Sequence, residues 1–142
     1  MTLQHWAFSF KGRIGRRDFW SGFGVCFVLF LGFSLLNEYY PLPTILTWVL
    51  LFIILYPMCA IFTKRLHDRN KRGIWILLLL FAVMLGLADT SSLDSFWQWA
   101  IGRFLPLFII MVILLDCGVF VGTDGANYFG QQTEKVDYKR LR

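Results

Sequence analysis

The chain has 142 residues, enough for one domain, and its composition is atypical of a soluble protein. Hydrophobic residues make up 57% of the chain and charged residues 16%, whereas soluble domains average roughly 45–50% and about 25%. Such a small soluble fold cannot bury so much apolar surface, so we expect lipid to cover part of it. The net charge of +5 raises the question of nucleic-acid binding, which the placement of the cations argues against.

Four apolar stretches follow one another along the chain and predict transmembrane helices at 19–36, 44–63, 74–88 and 99–121. A membrane helix needs about 20 mainly apolar residues, with a range of about 17–25. The first, second and fourth stretches meet this requirement, while the third is short and needs either to include Gly73 and Asp89 or to thin the bilayer locally. We therefore predict an all-α fold, with residues 1–142 forming a single membrane domain that contains four transmembrane helices.

The basic residues predict the orientation of these helices. Thirteen of the 14 lysine and arginine residues fall in the segments 1–18, 64–73 and 122–142, and only Arg103 falls elsewhere. Four crossings place these three segments on one side of the membrane, and the positive-inside rule makes that side cytoplasmic. We therefore predict a multi-pass protein with both termini in the cytoplasm and no role in nucleic-acid binding.

Arginines cluster on the predicted cytoplasmic face, and this cluster is the first candidate site. Arg13, Arg16 and Arg17 precede the first span, while Arg65 and Arg69 lie in the loop after the second. Such a cluster attracts anionic lipid or an acidic partner, at about 1 kcal/mol per cation near the surface. The alternative is a loop that only sets topology, with its charges solvated.

His67 and Asp68 stand among these arginines, where charge alone does not require them. An acid and an imidazole in this position predict a hydrogen-bonded network that fixes the shape of the loop. The imidazole is also a candidate pH-sensitive group, although we expect a structural role.

Two further residues within the predicted spans attract attention. Asp116 is an intramembrane carboxylate, which is a functional candidate by default. Its structural alternative is pairing with an arginine of the second loop, which would join the fourth helix to the second and third. Pro57 predicts a kink late in the second span, which is either a hinge or a static feature.

Sets of residues that support catalysis or metal binding are scarce. The chain has no GxSxG, HExxH or phosphate-binding loop, and it has only two histidines. The three cysteines show no metal-ligand spacing, so we expect neither a metal site nor a cofactor nor a structural disulfide. These features weigh against an enzyme.

Three ordered motifs carry a resemblance to a known family. In chain order they are Phe10-Lys11-Gly12-Arg13 with Arg16, Phe19 and Trp20; Pro57 and Ala60 with Arg65-Leu66-His67-Asp68, Gly73 and Trp75; and Gly122-Thr123 with Gly125, Asn127 and Gly130. With these motifs the chain resembles the domain-of-unknown-function 805 family over about residues 10–130. The resemblance implies a small bacterial inner-membrane protein, and it implies no activity, because none is established for that family.

All three motifs fall on the predicted cytoplasmic face, so we expect the three segments to meet in one structure. Asn127 with Gly125 and Gly130 predicts a defined turn, because Asn and Gly tolerate positive φ. From the sequence, this structure either binds a ligand or only clamps the helices together.

Three functions are compatible with these patterns. The first is a non-enzymatic membrane protein whose cytoplasmic face, including Asn127, docks anionic lipid or a partner protein. The second is a small transporter or channel, formed as a homo-oligomer, with Asp116 and Pro57 near its path. The third is an enzyme that modifies lipid headgroups with His67 as general base, and the lack of a nucleophile ranks it last.

Overall fold

A computed structural model describes residues 2–136, apart from the side chain of Leu87, so Met1 and the end of the predicted segment 122–142 lie outside it. The helices are α1 (Leu3–Phe8), α2 (Arg16–Tyr39), α3 (Thr44–Asp68), α4 (Ile76–Leu87), α5 (Ser95–Trp99) and α6 (Leu105–Gly118). A 3₁₀ turn, Gly73–Trp75, precedes α4, and a π-helical turn, Ala100–Phe104, joins α5 to α6. The described residues form two isolated β-bridges and no strand, so the all-α prediction is confirmed for them.

Three helices are long and apolar enough to cross a membrane: Arg16–Tyr39, Thr44–Asp68 and the continuous stretch Ser95–Gly118. They contain most of the first, second and fourth predicted spans. The third predicted span, 74–88, forms a shorter apolar helix, Gly73–Gly86. Its 14 residues extend over about 21 Å, whereas the hydrocarbon core of a bilayer is about 30 Å thick. Three of the four predicted spans therefore form helices of membrane-spanning length, the third is short as expected, and the count of four crossings stays a prediction.

The helices pack as two pairs, α2 with α3 and α4 with α6, and the pairs touch mainly where α2 and α3 meet α6. The short helix α1 lies against α3, where the Tyr56 hydroxyl donates to the Phe8 carbonyl at 3.2 Å. A buried apolar cluster that includes Phe19, Phe62, Leu66 and Cys117 joins α2, α3 and α6.

This cluster lies at one end of the bundle, where α2 begins and where α3 and α6 end. We call this end, formed by residues 10–20, 60–73 and 113–134, the basic end. The opposite end, where α2 ends, α3 begins and α4 leads into α5, is the far end. The three segments that carry the sequence motifs meet at the basic end, as expected.

Pro57 lies inside α3, which continues without a break from Thr44 to Asp68. Because proline has no backbone N–H, the carbonyl four residues earlier loses its usual helical donor. The predicted kink at Pro57 stays a prediction.

Candidate functional site

Asp68, the last residue of α3, lies at the centre of a buried charge cluster. Its carboxylate accepts hydrogen bonds from Arg13 Nε at 3.2 Å, from Arg65 Nη1, and from Thr133 Oγ1 at 2.5 Å. The three charged side chains are no more than 3% exposed. A buried charge is stable only when it is paired and hydrogen-bonded, and these contacts meet both conditions.

The carbonyls at the end of α6 are the second component of the site. Each of the five successive carbonyls from Cys117 to Val121 accepts a hydrogen bond from a side chain. The donors are Arg65 Nε to Cys117 and Nη2 to Phe120 (both 2.6 Å), Trp20 Nε1 to Gly118 (3.1 Å), Arg16 Nη1 to Val119 (3.1 Å) and Arg69 Nη1 to Val121 (2.7 Å). A helix leaves its last carbonyls without partners, and cations there also interact favourably with the helix dipole. We call the three arginines that donate to these carbonyls, Arg16, Arg65 and Arg69, together with Arg13, the arginine clasp.

Arg13 extends the clasp to the loop that follows α6. It donates to the carbonyls of Thr123 at 2.5 Å, Gly125 at 2.6 Å and Gly130 at 3.1 Å. One guanidinium therefore fixes three points of the loop as well as the Asp68 carboxylate. The planar, five-donor geometry of arginine suits this task, which lysine cannot perform.

The loop 122–130 contains the predicted turn. Gly125 has φ of +73°, which confirms the need for glycine at that position. Asn127 contributes hydrogen bonds instead of an unusual backbone angle. Its Nδ2 donates to the His67 carbonyl at 2.8 Å, and its Oδ1 accepts from Phe129 N at 2.9 Å. The side chain thus ties the turn to the end of α3.

Gly122 and Thr123 fit directly against Asp68. A Cβ atom on Gly122 would lie 1.9 Å from Asp68 Oδ2, so no larger residue fits there without movement. Thr123 donates both its N–H and its hydroxyl to the Asp68 carbonyl, at 2.8 and 2.9 Å. The Gly-Thr pair is therefore explained by close contact with the buried charge cluster.

His67 is half-buried, and its ring stacks on Phe129 with centroids 4.0 Å apart and planes 3° from parallel. Its Nδ1 atom is buried and has no hydrogen-bond partner within residues 2–136. The stacking holds the imidazole against the loop that Asn127 orders. This arrangement gives His67 a packing role at the basic end.

Lys64 of α3 also donates hydrogen bonds to backbone carbonyls at a helix, in this case α1. The residue is fully buried, and its ammonium donates to the carbonyls of His5, at 3.1 Å, and Trp6. These carbonyls belong to α1, a helix of only 6 residues. Consecutive residues of α3 therefore hold two different helices: Lys64 binds α1 and Arg65 binds the end of α6.

Asp116 pairs with two cations at the basic end. Its Oδ1 lies 3.1 Å from Arg69 Nη2 and 2.9 Å from Lys71 Nζ. Pairing with an arginine of the second loop was the structural alternative predicted for Asp116, and it is confirmed. The pair joins α6 to the segment that follows α3.

Burial separates the residues that were predicted to dock a ligand. Arg13, Arg65 and Asp68 lie in the interior with their polar atoms engaged, so a ligand outside the bundle cannot reach them. Arg16 and Arg17 are exposed, as are Lys11 and Arg72, two cations that were not among the predicted site residues. The prediction that the basic end docks a ligand therefore concerns these four exposed cations, which we call the exposed rim.

Within residues 2–136 no group of three or more His, Cys, Asp or Glu residues is arranged to hold a metal ion.

Comparison with known proteins gives the chain close relatives. Residues 7–131 match a family model described as a protein of unknown function, DUF805. Two proteins named uncharacterized protein YiiR, from Escherichia coli strain K12 and Escherichia coli O157:H7, are each 45% identical to the chain over 141 residues, which is 98% of this chain and 95% of theirs. No solved structure matches. The matched range contains the whole arginine clasp and the loop that it holds, and it ends just before Thr133.

Proposed function

The chain belongs to the DUF805 family of proteins of unknown function, and on that premise we propose a role for its basic end. In this proposal the protein is a multi-pass, non-enzymatic component of the bacterial inner membrane. Its basic end faces the cytoplasm and binds anionic lipid headgroups. The observation that carries the proposal is the contrast between a fixed, buried charge cluster and a rim of exposed cations around it.

The connectivity of the helices supports this orientation. The chain leaves the basic end in α2, returns in α3, leaves again in α4 and returns through α5 and α6. An even number of passes keeps both ends of the described chain on one side, and the positive-inside rule favours the cytoplasm for that side. The short α4 fits this scheme if the bilayer thins beside it.

Labelling of single cysteines in intact spheroplasts tests this orientation. A membrane-impermeant thiol reagent should label Ser92→Cys, at the exposed far end, without permeabilisation. Lys11→Cys, at the exposed basic end, should react only after permeabilisation. The opposite pattern would overturn the orientation.

The exposed rim supports lipid binding. The clasp uses its buried members to hold the chain in place, and this leaves Arg16, Arg17 and Arg72 at the surface. Exposed cations at the headgroup layer attract anionic lipid at about 1 kcal/mol each. Trp20, one turn after Arg16 on α2, is 46% exposed, and tryptophan rings prefer the headgroup layer.

Titration with phosphatidylglycerol followed by native mass spectrometry tests the lipid-binding proposal. The double variant Arg16→Gln/Arg17→Gln should bind the lipid about 30-fold more weakly, because two cations at about 1 kcal/mol each are lost. The matched control Arg16→Lys/Arg17→Lys keeps both charges and should retain most of the binding. Equal affinity in the wild type and the Gln variant, or a stoichiometric protein adduct in place of lipid, would overturn the proposal.

A further inference from the structure

An open apolar groove runs along α6 and reaches the basic end beside α2. It encloses about 290 Å³, and its walls include Trp20 of α2, Leu107, Met111 and Leu114 of α6, and Val119, the residue after α6. Its lining is formed by tryptophan, leucine, isoleucine, methionine and valine side chains. Several of them face outward, since Leu107 is 66% exposed and Val119 is 54% exposed.

The groove has a cation at one end. Arg16 Nη1 donates to the carbonyl of Val119, a residue that lines the groove, at 3.1 Å. That hydrogen bond positions the guanidinium at the end of the groove. The side chain is exposed, and Val119 O is the acceptor that it has within residues 2–136. An exposed arginine suits the binding of phosphate oxygens, which it can contact at two points.

Trp20 forms the wall between the charge and the apolar part. It follows Arg16 by four residues on α2, so both side chains lie on the same face of that helix. Its ring lies against Gly118, where an added Cβ would come within 2.4 Å of the ring, and its Nε1 donates to the Gly118 carbonyl at 3.1 Å. The ring is therefore fixed between the Arg16 guanidinium and the apolar side chains of the groove.

The length of the groove matches one leaflet of a bilayer. From Leu107 to Val119, α6 and the residue after it rise by about 18 Å, and half of a hydrocarbon core is about 15 Å thick. The groove thus has the length of one acyl chain, and its charged end is where the phosphate of that lipid would lie. Exposed Arg17, next to Arg16, adds positive charge and favours a headgroup with net negative charge.

From these observations we infer that the groove between α2 and α6 is a binding site for one anionic phospholipid. Arg16 holds the phosphate, Trp20 packs at the junction of headgroup and chain, and the groove lining from Leu107 to Val119 holds one acyl chain. This inference rests on the proposed function and assigns it a location. A second hollow of about 370 Å³ shares Leu107 and Met111 with the groove and ends at Arg103, toward the far end, which provides a matched control.

Photo-crosslinking in vesicles tests the site on the full chain. The protein is reconstituted in phosphatidylcholine containing a minority of phosphatidylglycerol that carries a diazirine near the end of one acyl chain. Crosslinked peptides are then mapped by mass spectrometry. The expected crosslinks lie within 107–115 and exceed those from phosphatidylcholine with the same diazirine. Arg16→Gln should reduce them about fivefold, while Arg103→Gln should leave them unchanged.

A second variant separates the groove from the charge. Leu114→Trp fills the groove and keeps Arg16, so it should remove crosslinks within 107–115 while the protein still recruits phosphatidylglycerol. If phosphatidylglycerol binds but its crosslinks are spread over all helices, or are unaffected by Arg16→Gln, the groove site is wrong and the proposed function stands. If phosphatidylglycerol has no advantage over phosphatidylcholine, both are wrong. Crosslinks to a second copy of the chain would make that copy the occupant of the groove.

Discussion

The two ends of the bundle differ in what they bury and what they expose. At the basic end, α3 is buried from Ala60 to Leu66, and this stretch includes Lys64 and Arg65, both 0% exposed. At the far end of the same helix, Ile45 is 81% exposed and Phe52 is 68% exposed. One helix therefore hides its charges at one end and presents its apolar side chains at the other.

This difference reflects what lipid can and cannot cover. Apolar side chains at the far end gain little from a protein partner, because lipid tails are as apolar as they are. Cations, carboxylates and unpaired carbonyls have no such partner in lipid, and an unsatisfied backbone group there costs several kcal/mol. We expect the specificity of the fold to depend on the polar contacts of the basic end, and matched substitutions at the two ends test this.

The largest effect is expected from the buried carboxylate. Asp68→Asn leaves the guanidinium groups of Arg13 and Arg65 buried without their countercharge, which should lower the free energy of unfolding by about 3–5 kcal/mol. The control is Asp94→Asn, since Asp94 is exposed at the far end, and a change within about 0.5 kcal/mol is expected there. Thermal unfolding of the purified protein in detergent measures both. Equal losses in the two variants would contradict the contrast between the ends.

Substitution of two glycines by alanine should have a smaller effect on stability, and the two sites differ in the space available for the added methyl group. In Gly122→Ala the new methyl group would lie 1.9 Å from Asp68 Oδ2, so the loop has to shift, at a cost of about 1–3 kcal/mol. The same change at Gly32 in α2 meets no atom within 4 Å, and it should stabilise the helix by about 0.5–1 kcal/mol. Limited proteolysis between 119 and 134 provides a second readout, and only Gly122→Ala should speed it. Unchanged proteolysis in that variant would show that the loop does not depend on the close contact.

Much of the architecture could be predicted from the sequence because it depends on side-chain patterns. Apolar runs indicated three full-length helices, and the need of a carboxylate within a predicted span for a cation indicated a pair between Asp116 and an arginine of the second loop, which is Arg69. The third apolar run was predicted to be short, and its bounds, 74–88, agree with the 3₁₀ turn and α4 together, which run from Gly73 to Leu87. The chain then turns at Asp89, whose Oδ1 accepts from Ser91 N at 2.9 Å.

The arrangement of the site was predictable only in part, because its main acceptors are backbone carbonyls. Charge clustering identified the arginines, but it could not tell buried Arg65 from exposed Arg17, since both stand beside other cations. The acceptors at 117–121 carry no side-chain signature, and the carboxylate contact of Thr133 joins residues far apart in sequence. Lys64 was counted as a loop cation, although its position inside α3 gives it a buried role.

Trp20 provides the test of smallest expected effect, because it concerns a single side-chain hydrogen bond at the end of α6. Trp20 Nε1 donates to the Gly118 carbonyl at 3.1 Å, and Trp20→Phe removes this donor while keeping most of the ring. We expect a loss of about 0.5–1.5 kcal/mol in the free energy of unfolding. Trp48→Phe is the matched change at the far end, where Trp48 is 65% exposed, and it should cost less. If both changes lower the free energy of unfolding equally, the Gly118 carbonyl does not need the Trp20 donor. The side-chain hydrogen bonds to the carbonyls at 117–121 would then follow from the fold and would not stabilise it.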